Sequence, residues 1–315
     1  MTEVARGRRA AGYAFALGAG ALWGTTGPLS TALYAEGEAI TGIGFWRVLL
    51  GTAALVVYAL LFRRDLLKVD RRGLLLVGLG GGALVALFEV AYQFAIAGAG
   101  VSSAAALLYT APTLVALLAW PLLKERLTSL RLLLAVVVGA GAVLAVLGGP
   151  HGAHLAGVAT PRLALGVAGG LLAALSYAGT TLLARFAAPR YGIFRMLLLE
   201  IAGGTVLLGI ILPLAGRPPV PPATAGGWTY LVVLVAGTVI LANLFFFSGA
   251  KRIEAAPTAV AATIEPVVGT LLALVLLSQH LTALGWLGLL MVVGGVAAGY
   301  LEEAGGEAPQ AAAAG

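Results

Sequence analysis

The segment APTLVALLAWPLLKERLT, residues 111–128, recurs without a gap as EPVVGTLLALVLLSQHLT at residues 265–282, an offset of 154 positions. Pro112 aligns with Pro266 in this register. Residues far from this segment also align at the same offset: Trp23 with Tyr177, Thr26 with Thr180, and Tyr92 with Phe246. One register that holds over distant parts of the chain indicates an internal repeat.

The repeat is too apolar for a soluble domain. The 315 residues are 60% hydrophobic and 10% charged, against about 45–50% and about 25% in soluble domains. The 45 glycines suit transmembrane helices, which approach each other through small residues because lipid supplies no hydrophobic force between helices. The composition predicts an all-α integral membrane protein.

Apolar runs of about 20 residues, the length that crosses a hydrocarbon core, define ten predicted transmembrane helices. They lie at residues 11–33, 40–62, 73–97, 101–123, 130–148, 163–186, 194–215, 227–249, 255–277 and 281–301. The first run is too long for a signal-peptide core and lacks a convincing cleavage site, so we expect it to be retained.

These spans divide the chain into two five-span repeats and three connecting or terminal parts. The predicted parts are a cytoplasmic N-terminus at 1–10, a first repeat at 11–148, a connecting loop at 149–162, a second repeat at 163–301, and a disordered cytoplasmic tail at 302–315. The tail has too few large apolar side chains to fold alone. Because five is odd, the second repeat enters the membrane from the opposite side, so the two repeats are inverted.

Basic residues set the predicted orientation. With the N-terminus inside, 16 of the 19 Lys and Arg residues lie on the cytoplasmic side, Arg162 and Arg217 lie on the other side, and Arg47 lies within a span. Cytoplasmic loops retain positive charge, so both termini are predicted to be cytoplasmic. The basic clusters are short, which argues against a nucleic-acid partner. The expected partners are the lipid bilayer and a small-molecule substrate.

Inverted repeats favour a secondary transporter, in which a central site lies between the halves and one half rocks on the other. Two alternatives stay open: the halves share only a packing solution, or a ring of carboxylates forms a cation-selective channel. No enzyme, metal or cofactor is predicted. The chain has no cysteine and no P-loop, and His151 and His154 without a third ligand make a weak metal site.

Three stretches resemble a known family: GALWGTTGPLS (residues 20–30), FWRVLLG (residues 45–51), and the Pro112 segment that ends in KERLT (residues 124–128). With their second-half echoes, they resemble the drug/metabolite transporter superfamily, its ten-span EamA-type exporters, and most of all the YddG-type amino-acid exporters. The resemblance covers about residues 11–301. It implies a bacterial inner-membrane exporter of amino acids or related metabolites, with drugs, nucleosides or sugar derivatives as alternative solutes.

The second copy departs from the family pattern at one position. The first copy has Glu125 before its Leu-Thr pair, where the family commonly repeats a Glu. The second copy has Gln279 and His280 there instead.

Charged groups in mid-span are costly unless they face protein, a partner or water, so each is a candidate site residue. These groups are Arg47, Glu89, Glu200 and Glu265, joined by the polar Gln93 and Asn243. The fifth and tenth spans hold none of them, so we expect these two spans to be scaffold and the other eight to enclose a central cavity. Gly294, Gly295 and Gly299 form a small-residue face on the tenth span, for packing within the fold or for a homodimer through the fifth or tenth span.

Glu89 and Gln93 share one helical face, with Tyr92 beside them. We interpret them as a substrate site, in which the carboxylate holds an ammonium group and the ring adds a cation–π contact. The alternative is that Glu89 neutralises Arg47 in a buried structural pair. Glu89, Glu200 and Glu265 are also candidates for proton coupling, although Glu200 can instead pair with Arg195, and uncoupled export stays open.

Two further sets of residues complete the candidates. The first set, mid-span aromatic residues that line a pocket or simply pack, is Trp23, Trp46, Tyr109, Tyr177 and Phe246. The second set is Pro112 and Pro266, which remove a hydrogen-bond donor and free a carbonyl one turn earlier. Such a carbonyl can bind a cation or accompany a hinge, as in broken transporter helices, or the proline is only a tolerated kink.

Overall fold

The structure, a computed structural model, describes residues 3–123, 128–150, 161–253 and 255–313. Within these ranges the chain is helical, with short loops and no strand. The structure does not describe residues 124–127, which include Glu125 of the KERLT motif, or residues 151–160, which include His151, His154 and most of the predicted connecting loop.

The described helices, in chain order, are α1 Glu3–Gly24, α2 Thr26–Ala35, α3 Ile40–Phe62, α4 Arg71–Ala99, α5 Val101–Leu108, α6 Ala111–Leu123, α7 Ser129–Leu147, α8 Pro161–Tyr191, α9 Ile193–Leu214, α10 Ala225–Ala250, α11 Ala255–Ala262, α12 Glu265–Leu277 and α13 Ala283–Ala313. A short 3₁₀ turn, Arg64–Leu67, follows α3. Two of the long helices contain π-helical turns, at Leu74–Gly81 in α4 and at Val235–Leu241 in α10.

Seven stretches of the described chain are long and apolar enough to cross a membrane. They are Ile40–Phe62, Arg71–Ala99, Ser129–Leu147, Pro161–Ala184, Ile193–Leu214, Ala225–Ala250 and Thr258–Leu277. Val101–Val115 and Ala283–Gly299 are shorter apolar helices. The prediction of a multi-pass helical membrane protein is confirmed.

Three of the predicted spans are broken helices rather than continuous ones. The first is interrupted at Thr25 between α1 and α2, the fourth between α5 and α6, and the ninth between α11 and α12. The last two breaks obey the sequence offset: α5 and α11 each have eight residues, and α6 and α12 each have thirteen. Pro112 and Pro266 are the second residues of α6 and α12, where the first N–H groups have no intrahelical partner in any case.

The C-terminal part of α13 differs from the sequence prediction. The helix continues to Ala313, so residues 302–313 are helical where the sequence predicts disorder. Gly305, Gly306 and Pro309 disfavour a helix here, whereas the Ala and Glu residues favour one. The helix continues from the apolar part of α13, and an existing helix extends without a second nucleation step.

Glycines set the closest helix contacts. Gly98 of α4 meets Gly166 of α8, Gly249 of α10 meets Gly12 of α1, and α7 packs along α13 where Gly141 approaches the backbone of α13. Close backbone approach through small residues is how transmembrane helices gain packing energy in lipid. Under the offset of the repeat, the pair α4 with α8 corresponds to α10 with α1, and α7 corresponds to α13.

Polar contacts join two loops at one end of the bundle, which we call the basic end (residues 63–70 and 190–195). The Asp70 carboxylate accepts from the Gly73 N–H and the Tyr191 hydroxyl, each at 2.8 Å, and pairs with Arg190. The Gly73 and Tyr191 donors, together with the Arg190 guanidinium, hold the pKa of Asp70 below its ordinary value. Arg195 Nη2 donates to the backbone oxygen of Asp65 at 2.6 Å. The loop after α3 is thereby fastened to the turn between α8 and α9.

Gly203 of α9 tests the close packing directly. A Cβ at this position would overlap the carbonyl oxygen of Gly78 in the π turn of α4. We expect Gly203→Ala to lower the free energy of unfolding by about 1–3 kcal/mol, because backbone rather than a flexible side chain must move. The measurement is the melting temperature of the purified protein in detergent.

Gly294→Ala is the matched control, since a Cβ there meets no atom within 4 Å. Alanine is also the better helix former, so this variant is expected to melt at or slightly above the parent. Equal melting temperatures for the two variants would contradict the contact between α4 and α9.

Candidate functional site

The break between α5 and α6 contacts the break between α11 and α12 through the side chain of Tyr109. Tyr109, between α5 and α6, donates to Glu265 Oε2 at 2.8 Å and approaches the carbonyl oxygen of Ala262 at 3.4 Å. That oxygen lies four residues before Pro266, which has no N–H to offer it. The sequence prediction of a freed carbonyl is consistent with this contact, because Tyr109 approaches it from the other copy of the repeat.

Helix α1 supports the break between α11 and α12 from behind. A Cβ at Gly20 would lie 2.5 Å from the carbonyl oxygen of Ala262, and one at Gly24 would lie 2.8 Å from that of Glu265. Only glycine permits this approach. The backbone of the break is therefore covered by α1, while the Glu265 side chain remains half-buried.

A buried ion pair lies beside the break. Arg47 Nη1 of α3 donates to Glu89 Oε2 of α4 at 3.2 Å, and both side chains are less than one-tenth exposed. Arg47 Nη2 also donates to Thr238 Oγ1 of α10 at 3.3 Å. This contact agrees with the alternative interpretation of the sequence, in which Glu89 neutralises Arg47 in a buried structural pair.

Trp23 and Phe246 connect this ion pair to α1. The Trp23 indole N–H donates to the backbone oxygen of Thr238 at 3.0 Å. Its ring packs against Phe246 of α10, with 5.4 Å between the centroids. Trp23 therefore contacts Thr238, which also binds Arg47, and Phe246 packs on Trp23.

The predicted face of Glu89, Tyr92 and Gln93 points to three different partners. Tyr92 is buried and stacks on Phe88 at 5.5 Å between centroids. Gln93 is fully buried, and its Oε1 accepts from the Tyr34 hydroxyl of α2 at 2.6 Å. Its Nε2 has no hydrogen-bond partner in the described part of the chain.

Glu265 is the group on which the surrounding helices converge. Arg47 of α3, Tyr92 of α4 and Tyr177 of α8 all lie within electrostatic range of its carboxylate. Tyr177 packs against Phe88 at 6.3 Å and is nevertheless 49% exposed. Because the Tyr177 hydroxyl also interacts electrostatically with Glu265, we interpret its exposed ring as facing the interior of the bundle rather than lipid.

Other candidates lie away from this centre. Trp46 donates to the backbone oxygen of Val220 at 2.9 Å and packs on Trp228, so it contacts the proline-rich loop before α10. Asn243 donates to Val239, one turn earlier in its own helix. The structure places neither side chain with Glu265 or the Arg47–Glu89 pair.

Glu200 lies apart as well, beside Gly81 in the π turn of α4. Its side chain is buried, and Oε1 has no partner among the described residues. Pairing with Arg195 was the alternative for Glu200, but Arg195 donates to the backbone of Asp65 instead. π-Helical turns often accompany functional sites.

Three residues of this region escape the sequence prediction. Tyr34 lies one residue beyond the predicted first span. The Thr238 hydroxyl also donates to Leu234 O within its own helix, as many mid-span threonines do. Its sequence position therefore gives no reason to single it out. Phe88 was detectable, because it precedes Tyr92 by one helical turn and such pairs share a face.

The fold and this polar centre define an α-helical multi-pass membrane protein whose broken helices meet among buried charges. The sequence matches the EamA-like transporter family over residues 10–147 and again over residues 164–300. The chain belongs to this family of membrane transporters for small solutes, which is a family of transporters rather than enzymes. Each matched range contains one copy of the sequence repeat.

One solved crystal structure of a protein shows the same fold. It is 19% identical in sequence, covers 91% of this chain and 96% of its own, and has a TM-score of 0.65. At this identity the likeness shows the fold alone. No curated protein matches the chain.

The Arg47–Glu89 pair predicts a stability effect. Glu89→Gln leaves the buried guanidinium uncompensated, so we expect the free energy of unfolding to fall by about 3–5 kcal/mol. The double variant Arg47→Met/Glu89→Leu removes both charges and is expected to recover most of this loss. Thermal unfolding of the purified variants in detergent measures both effects. A single variant as stable as the parent, or a double variant no better than the single, would show that the pair does not act as a structural unit.

Proposed function

We propose that this protein is a secondary transporter of a bacterial inner membrane that exports amino acids or related small metabolites by alternating access. The observation that carries the proposal is the Tyr109–Glu265 hydrogen bond, at which two broken helices meet beside a buried ion pair. In transporters, broken helices at a repeat interface bring side chains and carbonyls to a central solute site. The sequence resemblance to YddG-type exporters supports amino acids as the solute.

We further propose the ten-span layout with two inverted repeats. Helices α1 with α2, α5 with α6, and α11 with α12 each form one span, which gives ten with the seven other helices. Three observations support this layout: the two family matches, the equal lengths of the broken helices, and the fact that the 154-residue offset maps the packed pair α4 and α8 onto the packed pair α10 and α1. The charge bias supports placing both termini and the basic end in the cytoplasm.

In this layout α7 and α13 are scaffold. They pack along each other, and no charged side chain that contributes to the polar centre lies on them within the described residues. Gly295 contacts Val138 of α7, which accounts for part of the small-residue face of α13. Gly139 and Gly294 leave open space beside them, so these outer surfaces are where two copies would meet in a homodimer.

Alternating access requires polar contacts between the halves to break and re-form. Several such contacts join the proposed repeats, among them Tyr109 with Glu265, Arg47 with Thr238, and Asp70 with Arg190. The first two lie at the centre and the third at the basic end. A solute that binds at the centre can replace the first contact, and this gives it different interactions in the two states, as any solute-driven change requires.

A counterflow experiment in liposomes tests the proposal. Purified protein is expected to exchange external labelled amino acid for internal unlabelled amino acid, with saturable uptake that protein-free liposomes lack. Neutral, basic and aromatic amino acids are compared with and without an imposed pH gradient, because a carrier coupled to protons responds to that gradient. Non-saturable flux without counterflow would indicate a channel. Counterflow of nucleosides, sugars or drugs but of no amino acid would replace the proposed solute.

A further inference from the structure

The charges at the polar centre do not balance. Arg47 is neutralised by Glu89 at 3.2 Å. Glu265 forms no ion pair within the described ranges, and its hydrogen-bond donor is the neutral Tyr109 hydroxyl. The centre therefore contains two carboxylates and one guanidinium, which leaves one negative charge when all three groups are ionised.

The backbone at the break contributes partial charges of both signs. Helix α11 ends at Ala262, and α12 begins at Glu265. A helix C-terminus carries a partial negative charge and a helix N-terminus a partial positive one, so the two helix ends oppose each other here. The Ala262 carbonyl also has the Tyr109 hydroxyl as its partner. The carboxylate of Glu265, which forms no ion pair among the described residues, is therefore the group that attracts a positive group.

Three aromatic side chains lie near the same point. Phe88, Tyr92 and Tyr177 form a connected group on α4 and α8, with 5.5 and 6.3 Å between the Phe88 centroid and the other two. The hydroxyl groups of Tyr92 and Tyr177 both lie within electrostatic range of Glu265. Aromatic faces attract ammonium groups and other organic cations, and they also pack against an apolar body.

We propose that Glu265 and the aromatic group Phe88, Tyr92 and Tyr177 form a subsite for the ammonium group of an apolar or aromatic amine. The positive group of the solute supplies the charge that Glu265 lacks. The carboxylate of an amino acid is dispensable at this subsite, because Arg47 already has Glu89 as its partner. The inference rests on the proposed function, in that it assigns this centre as the transport site. It replaces Glu89 with Glu265 as the residue that recognises ammonium.

Three ligands with one ring and different charges test the subsite: phenethylamine carries only the amine, phenylalanine carries both charges, and 3-phenylpropionate carries only the carboxylate. Binding to purified protein in detergent is measured by competition against labelled phenethylamine. The parent is expected to bind phenethylamine and phenylalanine, and to bind 3-phenylpropionate at least tenfold more weakly. A tenfold change corresponds to about 1.4 kcal/mol.

Variants then locate the charge. Glu265→Gln is expected to weaken phenethylamine at least tenfold, since a charge-assisted hydrogen bond is lost. Glu265→Asp keeps the charge and is expected to retain the preference for amine over carboxylate at lower affinity. Glu38→Gln, the same change on the loop before α3, is the matched control and is expected to bind like the parent.

Two results would overturn the subsite: 3-phenylpropionate binding to the parent as tightly as phenethylamine, or folded Glu265→Gln binding phenethylamine like the parent. The ligand comparison uses the parent alone, so it decides the question even if Glu265→Gln does not fold. Amino-acid counterflow in a protein that does not bind phenethylamine would refute the subsite but leave the proposed function standing. Binding of phenethylamine without transport of any amino acid would do the reverse.

Discussion

The hydrogen bond from Tyr109 to Glu265 depends on a constraint that governs the whole molecule: backbone polar groups inside a membrane must find partners within the protein or in a water-filled space. Two helices are broken at equivalent positions, and each break leaves carbonyl groups without their usual donors. Tyr109 approaches one of these carbonyls, Ala262 O, and holds the neighbouring carboxylate. The glycines of α1 cover the same break from the other side. An irregular backbone is thereby placed at the centre of the bundle, where a solute can replace the protein partner.

The two carboxylates at this centre, Glu89 and Glu265, lie in different environments. Arg47 and Glu89 are buried together and bonded to each other, which suits a structural role. Glu265 is half-buried, accepts from a neutral donor, and lies within electrostatic range of the hydroxyl groups of Tyr92 and Tyr177. A carboxylate without a counter-charge in the middle of a membrane is costly unless a partner or water compensates for it. The distinction between the two carboxylates is therefore the physical basis for assigning one to stability and the other to solute binding.

Much of the architecture could be predicted from the sequence, because it follows from local patterns. Apolar runs gave α3 at residues 40–62 without error, and the offset of the repeat relates the predicted fourth span to the ninth, which are broken at equivalent positions in the structure. The prolines indicated where backbone bonds would be missing. The sequence prediction did not include the helical continuation at residues 302–313, because composition does not show that an existing helix extends without a new nucleation step.

The composition of the site was less accessible to prediction, because it depends on distances between helices. Glu89 and Gln93 share a helical face, yet one reaches α3 and the other α2. Trp46 belongs to the same class of mid-span aromatic residue as Trp23, but it contacts the proline-rich loop. No spacing along one helix shows that Tyr109 and Glu265 would meet, since they lie on different copies of the repeat.

Because the chain has no cysteine, a single introduced cysteine can report which side chains reach the solute path. Tyr177 and Leu175 lie on the same helix and are 49% and 46% exposed, but in the proposed transporter only Tyr177 lies on the solute path, whereas Leu175 faces lipid. Single variants Tyr177→Cys and Leu175→Cys are treated in membranes with a charged, water-soluble thiosulfonate. We expect the cysteine at 177 to react and to be protected by transported solute, while the cysteine at 175 does not react. Equal reaction at both positions, or reaction at 175 alone, would contradict the proposed solute path.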